Sequence, residues 1–140
     1  MQSFRYYHPI TVRYADLDPQ GHVNNAVYLS YLEMARIGYL QALGLWEGKS
    51  FLDIGIILAE TQITYRAPIL IGQNVRVGVR VSRLGNKSLD MVYTIEDEDS
   101  GRVLAQATTI LVTYDYRRNL TISVPESWRS VMQEFEEIHP

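Results

Sequence analysis

Cysteine is absent from the 140 residues of this chain, which excludes disulfides, thiolate nucleophiles and cysteine-based zinc sites. Positive charge is also scarce, because 13 Lys and Arg against 16 Asp and Glu leave a formal net charge of −3 at pH 7. Proteins that bind phosphate backbones usually carry a positive excess, so nucleic acid is a disfavoured partner. The sequence has no run of about twenty apolar residues and no apolar segment at its start. We therefore expect a cytoplasmic protein that does not insert into membranes.

Hydrophobic residues, by contrast, make up 46% of the sequence, which is enough to form a core without covalent cross-links. The length falls within the roughly 100–150 residues that are typical of one domain. Neither a linker-like run of Ser, Pro and Gly nor an internal repeat divides the chain. We therefore predict a single domain that spans residues 1–140.

The first half of the chain predicts a strand, a loop and a long helix. Apolar and polar residues alternate over 10–15, and a loop containing proline and glycine follows over 16–22. The next segment, from Asn24 or Asn25 to about Leu43, lacks proline and predicts a helix that ends at Gly44. Its strongly polar residues recur at every third position and form one narrow stripe: Ser30, Glu33 and Arg36. Because the rest of this helix is apolar, we expect it to be buried on several sides.

The second half predicts strands that are separated by turns. Alternation is strictest over 75–82, and a Gly-Asn hairpin turn over 84–87 follows it. The other strand-like segments are 54–66, 89–95 and 102–116, with a turn at 96–101 and a short helix after Pro125. A strand, a long helix and four meandering antiparallel strands make an α+β protein whose sheet curls around the helix. Such a sheet has two edges, and pairing in a dimer is one way to protect them.

The residues of chemical interest lie in one stretch, from Asp16 to Asn25, directly before the long helix. The N-terminus of a helix presents unpaired N–H groups, which can stabilise an oxyanion that forms on a substrate carbonyl. A carboxylate just ahead of it, such as that of Asp18, can activate water or attack directly, and Gly21 allows close approach to the backbone. Asp and Asn before a helix are also common as helix caps, so these residues have a structural explanation as well. Asn24 is the better cap candidate, which leaves Asp18 without an obvious structural role.

This stretch reads Asp-Leu-Asp-Pro-Gln-Gly-His-Val-Asn-Asn, and the helix continues with Tyr-Leu-Glu-Met-Ala-Arg at 31–36. The motif resembles the signature of hotdog-fold acyl-CoA thioesterases, and among them the 4-hydroxybenzoyl-CoA thioesterase-like family. The resemblance implies a hotdog fold, in which an antiparallel β-sheet wraps around a long central α-helix. It also implies hydrolysis of acyl-CoA to a carboxylic acid and free CoA, without a cofactor. The enzyme would be a homodimer or a homotetramer, a dimer of dimers, with active sites between protomers.

The resemblance further assigns roles to single residues. The catalytic carboxylate falls on Asp18, and the backbone N–H that polarises the thioester carbonyl falls on Asn25. The 4-hydroxybenzoyl branch has an aromatic residue at the position of Asn25, so the acyl pocket here is expected to differ. His22 could assist Asp18 or orient the leaving group, or it could only hydrogen-bond the loop. Whether Asp18 attacks the carbonyl or acts as a general base on water is also left open.

Residues near the surface hairpins are candidate contacts for coenzyme A, as the resemblance implies. Arg and Lys bind phosphate well, although each of these side chains could equally be a solvated surface group. The candidates flank the Gly85–Asn86 turn or follow the last long strand: Arg83, Lys87, Ser88, Arg117 and Arg118. We expect no metal site, because the three histidines lack ligand spacing: His8, His22 and His139.

Two other functions compete with hydrolysis. The first is a non-catalytic hotdog module that binds acyl-CoA without turnover, which a thiol-release assay would reveal. The second is a hotdog dehydratase that acts on an acyl thioester through His22 and Asp18, which hydration of an enoyl-CoA would reveal. Three tyrosines that could line a pocket are expected to pack in the core instead: Tyr28, Tyr31 and Tyr65.

Overall fold

The structure is a computed structural model that describes residues 4–138, so His139 lies outside the described residues. Its elements are β1 (Tyr6–Ile10), α1 (Asn25–Ala42), β2 (Ile56–Tyr65), β3 (Val75–Leu84), β4 (Ser88–Asp97), β5 (Val103–Asp115), β6 (Leu120–Thr121) and α2 (Glu126–Glu136). Single 3-10 turns occur at Tyr14–Asp16 and Phe51–Asp53. The long helix, the C-terminal helix and the strand-like segments of the second half are confirmed. No helix within residues 4–138 is long and apolar enough to span a membrane.

All strand pairs are antiparallel, and the five long strands lie in the order β1-β3-β4-β5-β2. Strands β3, β4 and β5 form a meander, but β2 pairs with β5, from Ile56 opposite Thr113 to Tyr65 opposite Ala105. The predicted four-stranded meander is therefore wrong for β2, which is an edge strand. The segment between β2 and β3 contains Pro68 and is too long for a tight hairpin, so it crosses the end of the sheet.

The first strand also differs from the prediction, since it ends at Ile10 and does not cover 10–15. The chain turns at Tyr14–Asp16 because the buried Asp16 carboxylate accepts hydrogen bonds from its own neighbours. The backbone N–H of Arg13 donates to Asp16 Oδ2 at 2.9 Å, and Arg13 Nη2 donates to Oδ1 at 2.9 Å. These local bonds compete with strand pairing, so alternation alone misplaces the element.

Helix α1 begins and ends as the sequence predicts. Asn24 is the N-cap, with its Oδ1 accepting from the N–H of Ala26 at 2.9 Å, and Gly44 follows the helix with φ of +73°. Its buried residues pack in one core with the inner face of the sheet, which confirms the expected α+β arrangement. They include Tyr28, Tyr31, Leu32, Ala35, Tyr39 and Leu40.

The exposed face of α1 differs from the predicted polar stripe. Leu29 and Met34 are 43% and 46% exposed, whereas Arg36 is only 7% exposed. Arg36 turns inward because its Nη1 donates to the hydroxyl of Tyr93 on β4 at 3.2 Å. The chain by itself thus leaves apolar surface on α1 uncovered, next to edge strand β2.

Helix α2 ties α1 to the sheet. The hydroxyl of Tyr39 and the N–H of Val81 both donate to Glu136 Oε2, at 2.6 and 2.8 Å. Arg129 Nη2 donates to the carbonyl of Gly85 at 2.7 Å, which anchors the β3–β4 hairpin. The helix therefore stabilises the end of the sheet at which β3 meets β4.

Candidate active site

The loop before α1 is held in place by Asp16. The hydroxyl of Tyr31 donates to Asp16 Oδ2 at 2.8 Å, and the N–H of Asn24 donates to the Asp16 carbonyl at 2.9 Å. Burial would raise the pKa of Asp16, but hydrogen bonds from Arg13 and Tyr31 hold that pKa below its ordinary value. Asp16 is therefore an ionised anchor between loop and helix.

Asp18 is half-buried in the same loop. Its Oδ1 accepts from the N–H groups of Gln20 at 2.9 Å and His22 at 3.1 Å. Its own N–H donates to the His22 carbonyl at 2.7 Å, and its carbonyl accepts from the N–H of Gly21 at 3.0 Å. Gly21 has φ of +79°, so the turn itself favours glycine, and a Cβ there would meet no atom within 4 Å. The side-chain amide of Gln20 donates to both carboxylate oxygens of Asp18, at 3.3 Å each.

Three predicted site residues line one hollow of about 300 Å³: Asp18, His22 and Asn25. Asn25 is the first residue of α1, and the cap bonds of that turn involve Ala26 and Val27 instead. Among the hydrogen bonds of the described residues, none gives an acceptor to the N–H of Asn25. The hollow thus lies between a carboxylate residue and the first residue of a helix, and a carboxylate beside a helix N-terminus is an arrangement suited to carbonyl chemistry.

His22 also lines the hollow, and within residues 4–138 its hydrogen bonds are made by its backbone N–H and carbonyl. It pairs with Leu70 in an isolated β-bridge. Within the described chain its imidazole makes no hydrogen bond to Asp18, so a role in catalysis stays a prediction. The same part of the chain, residues 4–138, has no group of three or more His, Asp or Glu side chains that could hold a metal ion.

The opposite wall of the hollow comes from the end of β2, of which the sequence reasoning named Tyr65 but not Arg66. Tyr28 and Tyr65 meet edge-on with ring centroids 4.9 Å apart, and the Tyr65 hydroxyl donates to the Asn25 carbonyl at 3.2 Å. Arg66 follows and also lines the hollow, and its Nε donates to Gln106 Oε1 at 3.2 Å. The expected core packing is wrong for the half-exposed Tyr65, while the buried Tyr31 binds Asp16 as part of the core. For Arg66, the only signal in the sequence is its place directly after a predicted strand.

The predicted coenzyme A contacts lie at the other end of the sheet. The β3–β4 hairpin pairs with β5 near Val112, beside the Ile56 end of β2, whereas the hollow adjoins Tyr65. Since β2 has 10 residues, its two ends are about 30 Å apart. One chain therefore does not bring Arg83, Lys87, Ser88, Arg117 or Arg118 to Asp18.

Some of these residues also have partners within the chain. Arg83 pairs with Asp90 at 2.9 Å and donates to Ser88 Oγ at 3.0 Å. Arg117 pairs with Asp53 at 3.1 Å on an exposed surface, where ion pairs are weak. Lys87 and Arg118 are exposed. The structure thus explains Arg83 and Ser88 as hairpin contacts, and a role in binding coenzyme A stays a prediction.

Comparison with known proteins places these observations in a family. The family model of the thioesterase-like superfamily matches residues 12–134. The long-chain acyl-CoA thioesterase FadM of Escherichia coli is 29% identical over 127 residues, covering 89% of this chain and 95% of FadM. The 1,4-dihydroxy-2-naphthoyl-CoA hydrolase of Thermosynechococcus vestitus is 30% identical over 118 residues, covering 82% of this chain and 81% of the hydrolase.

A solved structure shows the same fold over the whole length. A thioesterase from Thermus thermophilus, crystallised with coenzyme A and Zn, has a TM-score of 0.85 and 35% identity. The match covers 99% of this chain and 100% of that chain. The predicted hotdog fold is confirmed, and the chain belongs to the thioesterase-like superfamily.

Proposed function

We propose that this chain hydrolyses acyl-CoA thioesters to a carboxylic acid and free CoA, with Asp18 as the catalytic carboxylate. The observation that carries the proposal is the hollow that both Asp18 and Asn25, the first residue of α1, line. Relatives of similar length are named for hydrolysis of acyl-CoA thioesters, which supports the same chemistry here.

Hydrolysis of a thioester needs few catalytic groups, because a thiolate is a good leaving group and does not have to be protonated by a general acid. Asp18 takes a proton from water as the water oxygen bonds to the thioester carbon, or its own oxygen attacks that carbon. The developing oxyanion accepts a hydrogen bond from the N–H of Asn25. The C–S bond then breaks, and CoA leaves as the thiolate with the bonding electron pair. If water attacked, the carboxylic acid is formed in this step; if Asp18 attacked, an anhydride between Asp18 and the acyl group remains, and water cleaves it to the acid and restores the carboxylate. These groups supply the nucleophile, the base and the oxyanion site without a cofactor.

We further propose that a complete site needs a second copy of the chain. Strand β2 is an edge strand of 10 residues, with Ile57 and Leu58 exposed beside the uncovered face of α1. Antiparallel pairing of two β2 strands around a two-fold axis would place the Tyr65 end of one beside the Ile56 end of the other. The partner's β3–β4 hairpin with Lys87 and its β5–β6 turn with Arg117 would then approach the Asp18 hollow.

The test of the catalytic role is Asp18→Asn, which keeps the shape of the side chain and removes its negative charge. We expect kcat for acyl-CoA hydrolysis, followed by thiol release, to fall about 10²–10⁴-fold, the usual contribution of a positioned acid or base. Asp99→Asn, in the exposed β4–β5 turn, is the matched control and should keep the wild-type rate.

Other outcomes of this assay identify the competing functions. Full activity of a folded Asp18→Asn protein would overturn the mechanism. Wild-type protein that binds acyl-CoA but releases no thiol would be a binding module. Hydration of an enoyl-CoA without thiol release would indicate a dehydratase.

A further inference from the structure

The Asp18 carboxylate is held by two kinds of donor from its own loop. Its Oδ1 accepts from the backbone N–H groups of Gln20 at 2.9 Å and His22 at 3.1 Å. The side-chain amide of Gln20 reaches both carboxylate oxygens, at 3.3 Å each. The backbone donors thus bind Oδ1, and the Gln20 side chain adds a contact to Oδ2.

The equal distances define where the amide nitrogen of Gln20 lies. A nitrogen at 3.3 Å from both oxygens lies on the plane midway between them, so rotation of the carboxylate would carry one oxygen away from the donor. The last torsion of an aspartate side chain is otherwise broad. The Gln20 amide therefore opposes a rotation that backbone donors on a single oxygen restrict less.

The shape of the loop does not depend on the Gln20 side chain. The backbone closes the turn by itself, because the N–H of Asp18 donates to the His22 carbonyl at 2.7 Å and the N–H of Gly21 donates to the Asp18 carbonyl at 3.0 Å. Gln20 is exposed, so replacing its side chain should change stability little. Its amide is also neutral, so it orients the carboxylate without adding a positive charge beside it.

We propose that Gln20 is a positioning residue, which fixes the orientation of the Asp18 carboxylate beside the hollow through its side-chain amide. This rests on the proposed function, in which that carboxylate reacts with water or with the thioester carbon. A freely rotating carboxylate spends less time in the reactive orientation, and a misplacement of about 1 Å can lower a rate about 100-fold. Gln20 therefore acts on kcat rather than on substrate binding.

The first test is Gln20→Met, which removes the amide at nearly constant side-chain length and keeps the backbone N–H. The substrate is whichever of myristoyl-CoA and benzoyl-CoA the wild type cleaves faster. We expect kcat for thiol release to fall about 10- to 100-fold, while KM and the midpoint of urea unfolding stay at wild-type values. Gln41→Met, at an exposed position of α1, is the matched control and should keep the wild-type rate.

A double variant shows whether Gln20 acts through Asp18. Groups that act as a unit are not additive, so a second loss is small once the first group is gone. In the Asp18→Asn protein, adding Gln20→Met should therefore leave the residual rate nearly unchanged.

The pH profile of Gln20→Glu is a readout that a purely structural role would not move. At about pH 8 both carboxylates are ionised and repel each other, so kcat should fall at least as far as in Gln20→Met. Towards about pH 5 the pair comes to share one proton, and the introduced carboxyl group can donate as the amide does. The ratio of kcat between Gln20→Glu and the wild type should therefore rise as the pH falls. Taking the ratio cancels the other titratable groups of the hollow, which both proteins share: His22, Tyr28, Tyr65 and Arg66.

Four results would overturn the proposal. They are a wild-type kcat in Gln20→Met, a raised kcat in that variant, an undiminished second loss in the Asp18→Asn protein, and a ratio for Gln20→Glu that does not change with pH. Loss of thiol release in Gln20→Met together with a lowered unfolding midpoint and a matching loss in Gln20→Glu at every pH would assign Gln20 to the fold and would also overturn it. No thiol release from either ester by the wild type would instead reject the proposed function, and this role with it.

Discussion

Asp16 and Asp18 stand two residues apart and differ in what surrounds their carboxylates. Asp16 is buried and accepts hydrogen bonds from Arg13 and Tyr31. Asp18 receives two backbone N–H groups on one oxygen only and lines a hollow. One carboxylate is therefore enclosed by the core, and the other is held by donors of its own loop at the edge of a hollow.

We expect the stability that Asp16 contributes to depend on pH. The folded protein holds the Asp16 pKa below the ordinary value of 3.8, so the unfolded chain binds this proton first. The contribution is complete well above pH 3.8 and is lost as the pH falls through the lower folded value. Urea unfolding should show Asp16→Asn destabilised at pH 7 by about 1–3 kcal/mol, the cost of lost buried partners.

At pH 3 the difference in unfolding free energy between Asp16→Asn and the wild type should shrink, because Asp16 of the unfolded wild type is then largely protonated and neutral, as Asn is at every pH. A difference that stays constant between pH 7 and pH 3 would show that the charge of Asp16 does not stabilise the fold. Asp99→Asn again serves as the control, with little change at either pH.

At the scale of the elements, helix α1 packs very closely against β1 at Gly38. The hydroxyl of Tyr6 and His8 Nδ1 are hydrogen-bonded at 2.8 Å and lie directly over Gly38. A Cβ at Gly38 would overlap both atoms. Burial also lowers the pKa of His8, so this contact favours the neutral imidazole.

Gly38→Ala should therefore destabilise the protein, although alanine is the better helix former. We expect a loss of about 1–3 kcal/mol in unfolding free energy, as is usual for overpacking. Gln41→Ala, at an exposed position of the same helix, should change stability by no more than about 0.5 kcal/mol. A Gly38→Ala protein as stable as the wild type would show that β1 can shift away from α1.

The sequence predicted those elements whose signals are local. The cap at Asn24, the end of α1 near Gly44 and the strand alternation in β3 each follow from neighbouring residues. Asp18, His22 and Asn25 come together for the same reason, because one short loop carries them. Strand β2 pairs with β5, which is distant in the sequence, and this pairing places Tyr65 and Arg66 beside the hollow. No local sequence pattern predicts such long-range contacts.

At the scale of the whole molecule, the sheet separates two halves of the expected site. The hollow lies at the Tyr65 end of β2, and the basic residues lie at the Ile56 end. A second copy with the opposite strand direction would bring the two ends together. The dimer, rather than the chain, would then be the catalytic unit.

Mixing two inactive variants tests this division. Asp18→Asn lacks the carboxylate, and Lys87→Ala/Arg117→Ala lacks two of the basic contacts. If each site takes residues from both copies, mixed dimers regain intact sites, and random mixing should restore about a quarter of the sites. Thiol release after co-refolding measures this recovery, and sedimentation checks for the dimer. No recovery in a mixture that does form mixed dimers would place both groups in one chain or outside the site.

The side chain of Trp46 is buried against Phe51, with ring centroids 5.0 Å apart, and its Nε1 donates to the Ser50 carbonyl at 2.9 Å. Phe51 and Ser50 also line a cavity of about 470 Å³, together with Ile37 of α1 and Ile56 of β2. The chain has two tryptophans, and the other, Trp128, lies on α2. Replacing Trp128 by phenylalanine would leave one indole beside this cavity, whose fluorescence would report occupancy directly, with no label attached.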